Sequence, residues 1–134
     1  MARRLSSLRT ELRTLEEQAH KLLAPFLARD PLLAGSVYTL RRRCGKPNCR
    51  CTQGHLHATE VLSYRGQERA QTITPRPGEL ATFRKLTGSY RRFRQARAAL
   101  VKLDRQMLAV IDRIEAMRLE QGERTFRALR SRGR

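Results

Sequence analysis

The chain has 134 residues and a formal net charge of +17 at pH 7, because 29 Lys and Arg residues outnumber 12 Asp and Glu residues. This length is typical of one domain, but an aromatic content of 5% without any Trp argues against a large globular core. The charge predicts an anionic partner, and no apolar run approaches the ~20 residues that a membrane-spanning helix needs.

The first predicted element is an amphipathic helix within residues 1–30. Its apolar residues are alternately three and four apart, which is the heptad pattern of a helix that packs against another helix. These seam residues are Leu5, Leu8, Leu12, Leu15, Ala19, Leu22 and Phe26. Pro25 should end or kink the helix near Ala24, and Asp30-Pro31 marks a second break.

Residues 35–75 are predicted to form a small module with three strands, at 36–40, 59–64 and 70–74, which are rich in β-branched and aromatic residues. The strands should make one antiparallel sheet. Three short strands bury little apolar surface, so we expect metal ligation and helix packing to stabilise the sheet.

All three cysteines lie between the first two predicted strands, within eight positions of the sequence, as Cys44, Cys49 and Cys51. Two histidines follow, and the glycines and the proline of this segment let the chain turn back on itself. The pattern predicts a zinc knuckle with three thiolates and one histidine. His57 is favoured over His55 because five intervening residues, including a glycine, give the chain room to return, although His55 remains an alternative.

Four protein ligands would leave zinc without the open position that hydrolysis requires, so a structural role is predicted. The odd cysteine count and the absence of a recognisable secretion signal argue against a disulfide and favour a reducing cytoplasm. The carboxylates mostly alternate with arginines on predicted helices, and no phosphate-cradling glycine loop is present. We therefore expect a protein that is not an enzyme.

A long helix is predicted over residues 78–120, and if unbroken from Glu79 to Glu120 it would span about 63 Å. Its apolar stripe is Leu86, Phe93, Leu100, Met107 and Ile114, with the companions Phe83, Tyr90, Ala96, Leu103, Val110 and Met117. The companion positions change phase around residues 94–97. The stripe must pack against another helix. That helix is either the N-terminal helix of the same chain, folded back, or a helix of a partner in a homodimer or a hetero-complex. Residues 121–134 are predicted to be a poorly ordered basic tail.

The predicted fold is therefore α+β and mostly α. It has an N-terminal heptad helix, a small three-stranded antiparallel sheet with a zinc knuckle, and a long C-terminal helix of the coiled-coil type.

The segment from residue 35 to about residue 105 resembles an uncharacterised family of small prokaryotic proteins. The residues that carry the resemblance are Gly35, Ser36, Arg41, Arg42, Cys44, Gly45, Lys46, Cys49, Cys51, Gly54 and His57. The family pattern continues with a tyrosine-bearing hairpin and a helix rich in Arg and Leu. The resemblance implies a histidine ligand at His57 and the architecture given above, but it implies no activity. Where the relatives continue with Gly-Pro and an aromatic pair, this chain has Ala58-Thr59-Glu60.

Arginine supplies 25 of the 29 basic residues, and its planar fork matches phosphates and guanine edges. The sequence thus predicts a nucleic-acid-binding protein, with DNA preferred over RNA, that acts as an oligomer or as an accessory subunit of a nucleoprotein complex. Two sets of residues are predicted to bind the nucleic acid. They are the knuckle cations Arg41, Arg42, Arg43, Lys46 and Arg50, and the helix arginines Arg91, Arg92, Arg94 and Arg97. The alternative is a coiled-coil scaffold whose knuckle and helices bind proteins.

Overall fold

The computed structural model describes residues 2–67 and 69–133, except for the side chains of residues 2 and 3. Met1, Glu68 of the predicted hairpin turn and Arg134 of the predicted tail lie outside the described residues. The elements in chain order are α1 (Ala2–Lys21), α2 (Ala24–Leu27), β1 (Gly35–Arg42), a 3-10 turn (Arg50–Gln53), β2 (His57–Arg65), β3 (Ala70–Ile73) and α3 (Glu79–Arg132). The predicted fold class, α+β and mostly α, is confirmed.

The chain divides into two compact units. The helical unit comprises Met1–Leu27 and Gln95–Arg134, and the sheet unit comprises Ala28–Arg94. The predicted segment 78–120 is therefore not a unit by itself, because α3 contributes residues to both. The division falls where the apolar stripe of α3 changes phase.

In the helical unit, the predicted seam is the covered face of the N-terminal segment. All seven seam residues are buried or half-buried, and the exposed fractions of Leu5 and Leu8 are only 6% and 4%. Leu8 shares a cleft with Ala116 and Met117 of α3, and Val110 on the α3 stripe is 3% exposed. The N-terminal helix of the same chain therefore lies against part of α3 in this unit.

The first helix ends shortly before Pro25. Pro25 has no N–H to donate to the carbonyl of Lys21, where α1 ends. Just after Lys21, the N–H groups of Leu22 and Leu23 donate to carbonyls three residues back instead of four. The distance from the N–H of Leu22 to the carbonyl of Ala19 is 3.1 Å. Pro25 then occupies the start of α2, a position that proline tolerates. The predicted break is confirmed within three residues.

The sheet unit contains the predicted antiparallel sheet, in the order β1-β2-β3. The central strand supplies its core, because Val61 and Leu62 are 3% and 1% exposed although they point to opposite faces. Leu62 lies between Val37 of β1 and Ile73 of β3. At the start of β1, a Cβ on Gly35 would collide with the backbone oxygen of Ser63.

The first part of α3 packs in the sheet unit, where polar contacts fasten it. The hydroxyl of Ser89, which is 5% exposed, donates to Asp30 at 3.2 Å, and the N–H of Leu33 donates to the carbonyl of Leu86 at 3.3 Å. Arg84 pairs with Glu60 of β2 at 3.4 Å. These contacts lie on both sides of Gly88, a residue that costs about 1 kcal/mol relative to Ala in a helix interior.

The predicted end of α3 at Glu120 is wrong. The helix continues to Arg132, so the predicted tail is helical over the residues that the structure describes. Gly122 costs only about 1 kcal/mol relative to Ala inside a helix, whereas the following residues are mostly good helix formers. Glu123 also pairs with Arg127 one turn later.

Candidate metal centre

The cysteine-rich segment is the connection between β1 and β2. Arg42, the last residue of β1, lies directly opposite His57, the first residue of β2. Cys44 follows two residues after β1 ends. The sheet register therefore closes the base of the connection and brings its two ends together.

Local turns fold the segment between these ends. Gly45 and Gly54 have φ angles of 84° and 98°, a left-handed conformation that strongly favours glycine. The N–H of Cys49 donates to the carbonyl of Lys46 at 3.3 Å, and the N–H of Gly54 donates to the carbonyl of Cys51 at 3.4 Å. The first of these turns ends at Cys49, and the second begins at Cys51.

The structure brings together the four side chains that the sequence predicts as ligands. The thiols of Cys44, Cys49 and Cys51 and a ring nitrogen of His57 all lie within 4.8 Å of one another. The sulfur atoms of Cys44 and Cys51 are 3.6 Å apart, and the sulfur of Cys49 is 3.1 Å from Nε2 of His57.

These separations fit a tetrahedral ion. Bond lengths of about 2.3 Å to sulfur and about 2.0 Å to nitrogen put two ligand atoms about 3.5 to 3.8 Å apart. The 3.6 Å between the sulfur atoms of Cys44 and Cys51 lies in that range, the 3.1 Å between Cys49 and His57 is shorter, and no pair of ligand atoms is more than 4.8 Å apart. The group could therefore hold a metal ion after small side-chain adjustments.

The structure includes His57 in the cluster and leaves His55 outside it. His55 is exposed, and its backbone N–H donates to the carbonyl of Arg50 at 3.3 Å. It lies within the turn that follows the short 3-10 segment, whereas His57 begins β2. The choice of His57 from the spacing thus agrees with the position of the strand.

The outer two cysteines of the cluster differ in environment. Cys44 is exposed, and a hydrogen bond from the backbone of Lys46 lowers the pKa of its thiol, with help from the thiols of Cys49 and Cys51 and against partial desolvation. Cys51 is 0% exposed. The N–H of Cys44 donates to its sulfur at 3.4 Å and lowers its pKa, but desolvation and the neighbouring thiols outweigh this and raise the pKa of Cys51.

The knuckle cations surround this cluster in the sequence, and all five are exposed. Among the described residues, none of them forms an ion pair. Arg42 and Arg43 line an open cleft together with Cys44, His57 and Thr59. Thr59 is the residue of this cleft that the sequence analysis missed, because its place depends on the strand register.

The helix arginines are also exposed, but they belong to different units. Arg91, Arg92 and Arg94 lie in the sheet unit, where Arg92 donates to the hydroxyl of Ser89 at 3.2 Å. Arg97 lies in the helical unit. Three of the four predicted residues thus lie in one unit and the fourth in the other.

No helix in the described part of the chain is both long and apolar enough to cross a membrane. Comparison with protein-family models, curated proteins and solved structures finds no match for this chain.

Proposed function

We propose that this protein is a zinc-stabilised DNA-binding protein, in which the metal centre holds a basic loop against the phosphate backbone. One observation carries the proposal. Three cysteines and a histidine converge within a connection whose five cations are all exposed and without an ion pair among the described residues. Charges left free in this way are available to phosphates.

Zinc is the metal that this donor set favours. Three thiolates and one imidazole form a common structural zinc site, whereas calcium and magnesium prefer oxygen ligands. With all four positions taken by protein side chains, the ion acts through the fold and activates no water. We accordingly propose a binding function without catalysis.

The bound metal leaves the knuckle basic. Zinc with three thiolates and a neutral histidine carries one negative charge, which the five knuckle cations outweigh. Arginine's fork can bind a phosphate with two parallel hydrogen bonds, and it can also read guanine in the major groove of DNA. This second property supports DNA over RNA, whose major groove is too deep and narrow for side chains.

We further propose that the protein is cytoplasmic and acts as an oligomer or as an accessory subunit of a nucleoprotein complex. Thiolate ligands persist in a reducing compartment, which supports the location. A total charge of +17 supports assembly together with a polyanion.

The salt dependence of binding to duplex DNA tests the proposal. If about six phosphates are neutralised, the logarithm of the binding constant should fall with the logarithm of salt concentration with a slope near −5. Replacing Arg41, Arg42 and Arg43 by Gln should make the slope shallower by about three units. A shallow slope in the unmodified protein, or stronger binding to duplex RNA, would contradict the proposal.

A charge-matched variant shows whether the knuckle is the surface that binds. Arg4, Arg9 and Arg13 are exposed on α1, and their replacement by Gln removes the same charge. This control should keep most of the salt slope. Equal losses in the two triple variants would mean that only net charge matters.

A second candidate function is a scaffold that binds another protein through α3. This helix carries a second row of apolar side chains with exposed fractions from 42% to 66%: Leu108, Ile111, Leu119, Phe126 and Leu129. Replacing Leu119 and Phe126 by Ser should abolish such a contact without changing DNA affinity. A protein that is monomeric in solution and retains DNA without any partner would count against the scaffold.

A further inference from the structure

The cleft beside the metal centre has the features of a defined anion site. It has a volume of about 480 Å³ and is lined by Arg42, Arg43, Cys44, His57 and Thr59. Arg42 lies opposite His57 in the sheet register, and Thr59 follows two positions further along β2. Side chains two residues apart on a strand share a face, so Arg42, His57 and Thr59 lie on one face of the sheet.

The polar groups of this cleft are available to a ligand. Arg42 and Arg43 are exposed and have no ion pair among the described residues. Thr59 is half-buried, and its hydroxyl has no hydrogen-bond partner in the part of the chain that the structure describes. By contrast, the hydroxyls of Thr39 and Thr52 are both bonded within the protein.

No carboxylate lines the cleft among the described residues. Glu60 is the nearest along the chain, but it points to the opposite face of the sheet from Thr59. There it accepts hydrogen bonds from Thr39 at 2.8 Å and from Arg84 at 3.4 Å. The carboxylate of Glu60 thus lies on the face of the sheet opposite to Arg42 and Thr59.

We propose that this cleft binds a single phosphodiester group of the DNA backbone. Arg42 and Arg43 supply the positive charge, and the hydroxyl of Thr59 donates a hydrogen bond to a phosphate oxygen. The assignment rests on the proposed DNA-binding function and adds to it a specific phosphate contact and a further residue, Thr59.

The charges of the cleft match a phosphodiester. A zinc centre with three thiolates and one histidine carries one negative charge, and a phosphodiester carries another. Together they balance the two arginines. The ends of the arginine-bearing segment are tied down, because Arg42 is paired in the sheet and Cys44 belongs to the metal-ligand cluster.

Removing the hydroxyl of Thr59 distinguishes its hydrogen bond to phosphate from the non-specific attraction between the basic protein and DNA. Thr59→Val in the metal-loaded full chain should weaken duplex DNA binding about tenfold, since a hydrogen bond to a charged group is lost, and leave the salt slope unchanged. Arg42→Gln combined with Arg43→Gln should make the slope shallower by about two units. Thr72→Val is the matched control, because Thr72 is exposed on the same face of the neighbouring strand and should bind as the unmodified protein does.

Unchanged affinity in Thr59→Val, or an unchanged slope in the double arginine variant, would overturn the cleft assignment while the DNA-binding function stood. Metal content and circular dichroism of each variant establish that it is folded.

If the unmodified protein failed to bind DNA at low salt, the proposed function would fall, and a second measurement would still test the cleft. Inorganic phosphate is titrated into the metal-loaded protein against sodium chloride of equal ionic strength. Saturable shifts of the Thr59 amide and of the Arg42 side-chain Nε–H signal in the unmodified protein, with the Thr59 shift lost in the double arginine variant, would support the site. The absence of such shifts would refute it.

Discussion

The two units of this chain are stabilised in different ways. The helical unit relies on apolar side chains spread along two helices, with Leu5, Leu8, Ala96 and Val110 almost fully covered. The sheet unit has a much smaller apolar centre, formed chiefly by Val61 and Leu62, and it brings together four side chains that could hold a metal ion.

The two units should therefore respond differently to the loss of a single side chain. An apolar stripe loses a little stability with each truncated side chain, because neighbouring contacts remain. A four-ligand metal site concentrates its stabilisation in one ion, so the loss of one ligand affects the whole module. The arrangement also suits the proposed function, since a metal site leaves the surrounding surface free for charged residues.

The largest expected effect is that of Cys51→Ser. Cys51 is 0% exposed, and structural zinc contributes an apparent binding free energy of about 10–16 kcal/mol in small zinc modules. The variant should lose its equivalent of zinc and the amide protection of β1 and β2, while α1 keeps its helical signal. Metal analysis and hydrogen exchange followed by NMR measure both.

His55→Gln is the control for that variant, because His55 lies in the same segment but outside the cluster. It should retain one equivalent of zinc and the strand protection. If Cys51→Ser also kept its metal and its sheet, the contrast between the two units would be wrong.

The next effect is that of Leu8→Ala in the helical unit. Leu8 is 4% exposed, so removing its side chain should lower the free energy of unfolding by about 2–5 kcal/mol. Urea unfolding followed by circular dichroism gives the value, and zinc content should stay unchanged. Leu119→Ala, at a position that is 66% exposed, should change stability by no more than about 0.5 kcal/mol. Similar losses in both variants would show that this helix pair is not the core of its unit.

A smaller effect is expected from glycine substitutions in the two units. Gly35→Ala should destabilise the sheet unit by about 1–3 kcal/mol, because the added Cβ would collide with the backbone of Ser63. Gly122→Ala should stabilise α3 by up to about 1 kcal/mol, since nothing lies within 4 Å of the added Cβ. Thermal unfolding of the two variants compares them. A neutral Gly35→Ala would mean that β1 approaches β2 less closely at this end.

The smallest effect is expected in the rates at which the cysteine thiols of the metal-free protein are alkylated. Cys44 is exposed with a lowered pKa and should react first with iodoacetamide, because the thiolate is the reacting form. Cys51 is buried with a raised pKa and should react last. Mass spectrometry after brief labelling near neutral pH shows the order, and zinc should protect all three thiols. A faster reaction at Cys51 would contradict the described burial.

Much of the fold follows from local pattern. The apolar stripes of α1 and α3 were predictable because helical packing imposes spacings of three and four residues. The cluster was predictable because the three thiols and His57 are close in sequence and separated by turn-forming residues. Both signals come from short-range geometry.

Other features depend on tertiary contacts and were not predictable in this way. The end of α3 lies beyond the predicted one because the cost of Gly122 is small and the neighbouring helix formers outweigh it. The cleft residue Thr59 is defined only once the register pairs Arg42 with His57. The hydrogen bond from Ser89 to Asp30 likewise joins residues that are 59 positions apart.

The proposed role of the metal centre is to hold the basic loop in the form that binds DNA. It is tested most directly by measuring duplex DNA affinity over a range of salt concentrations, with metal-loaded protein and with protein stripped by a chelator. We predict a slope near −5 for the loaded form, and weaker binding with a shallower slope after stripping, restored by added zinc. Identical affinities and slopes in the two forms would show that DNA binding does not depend on the metal centre.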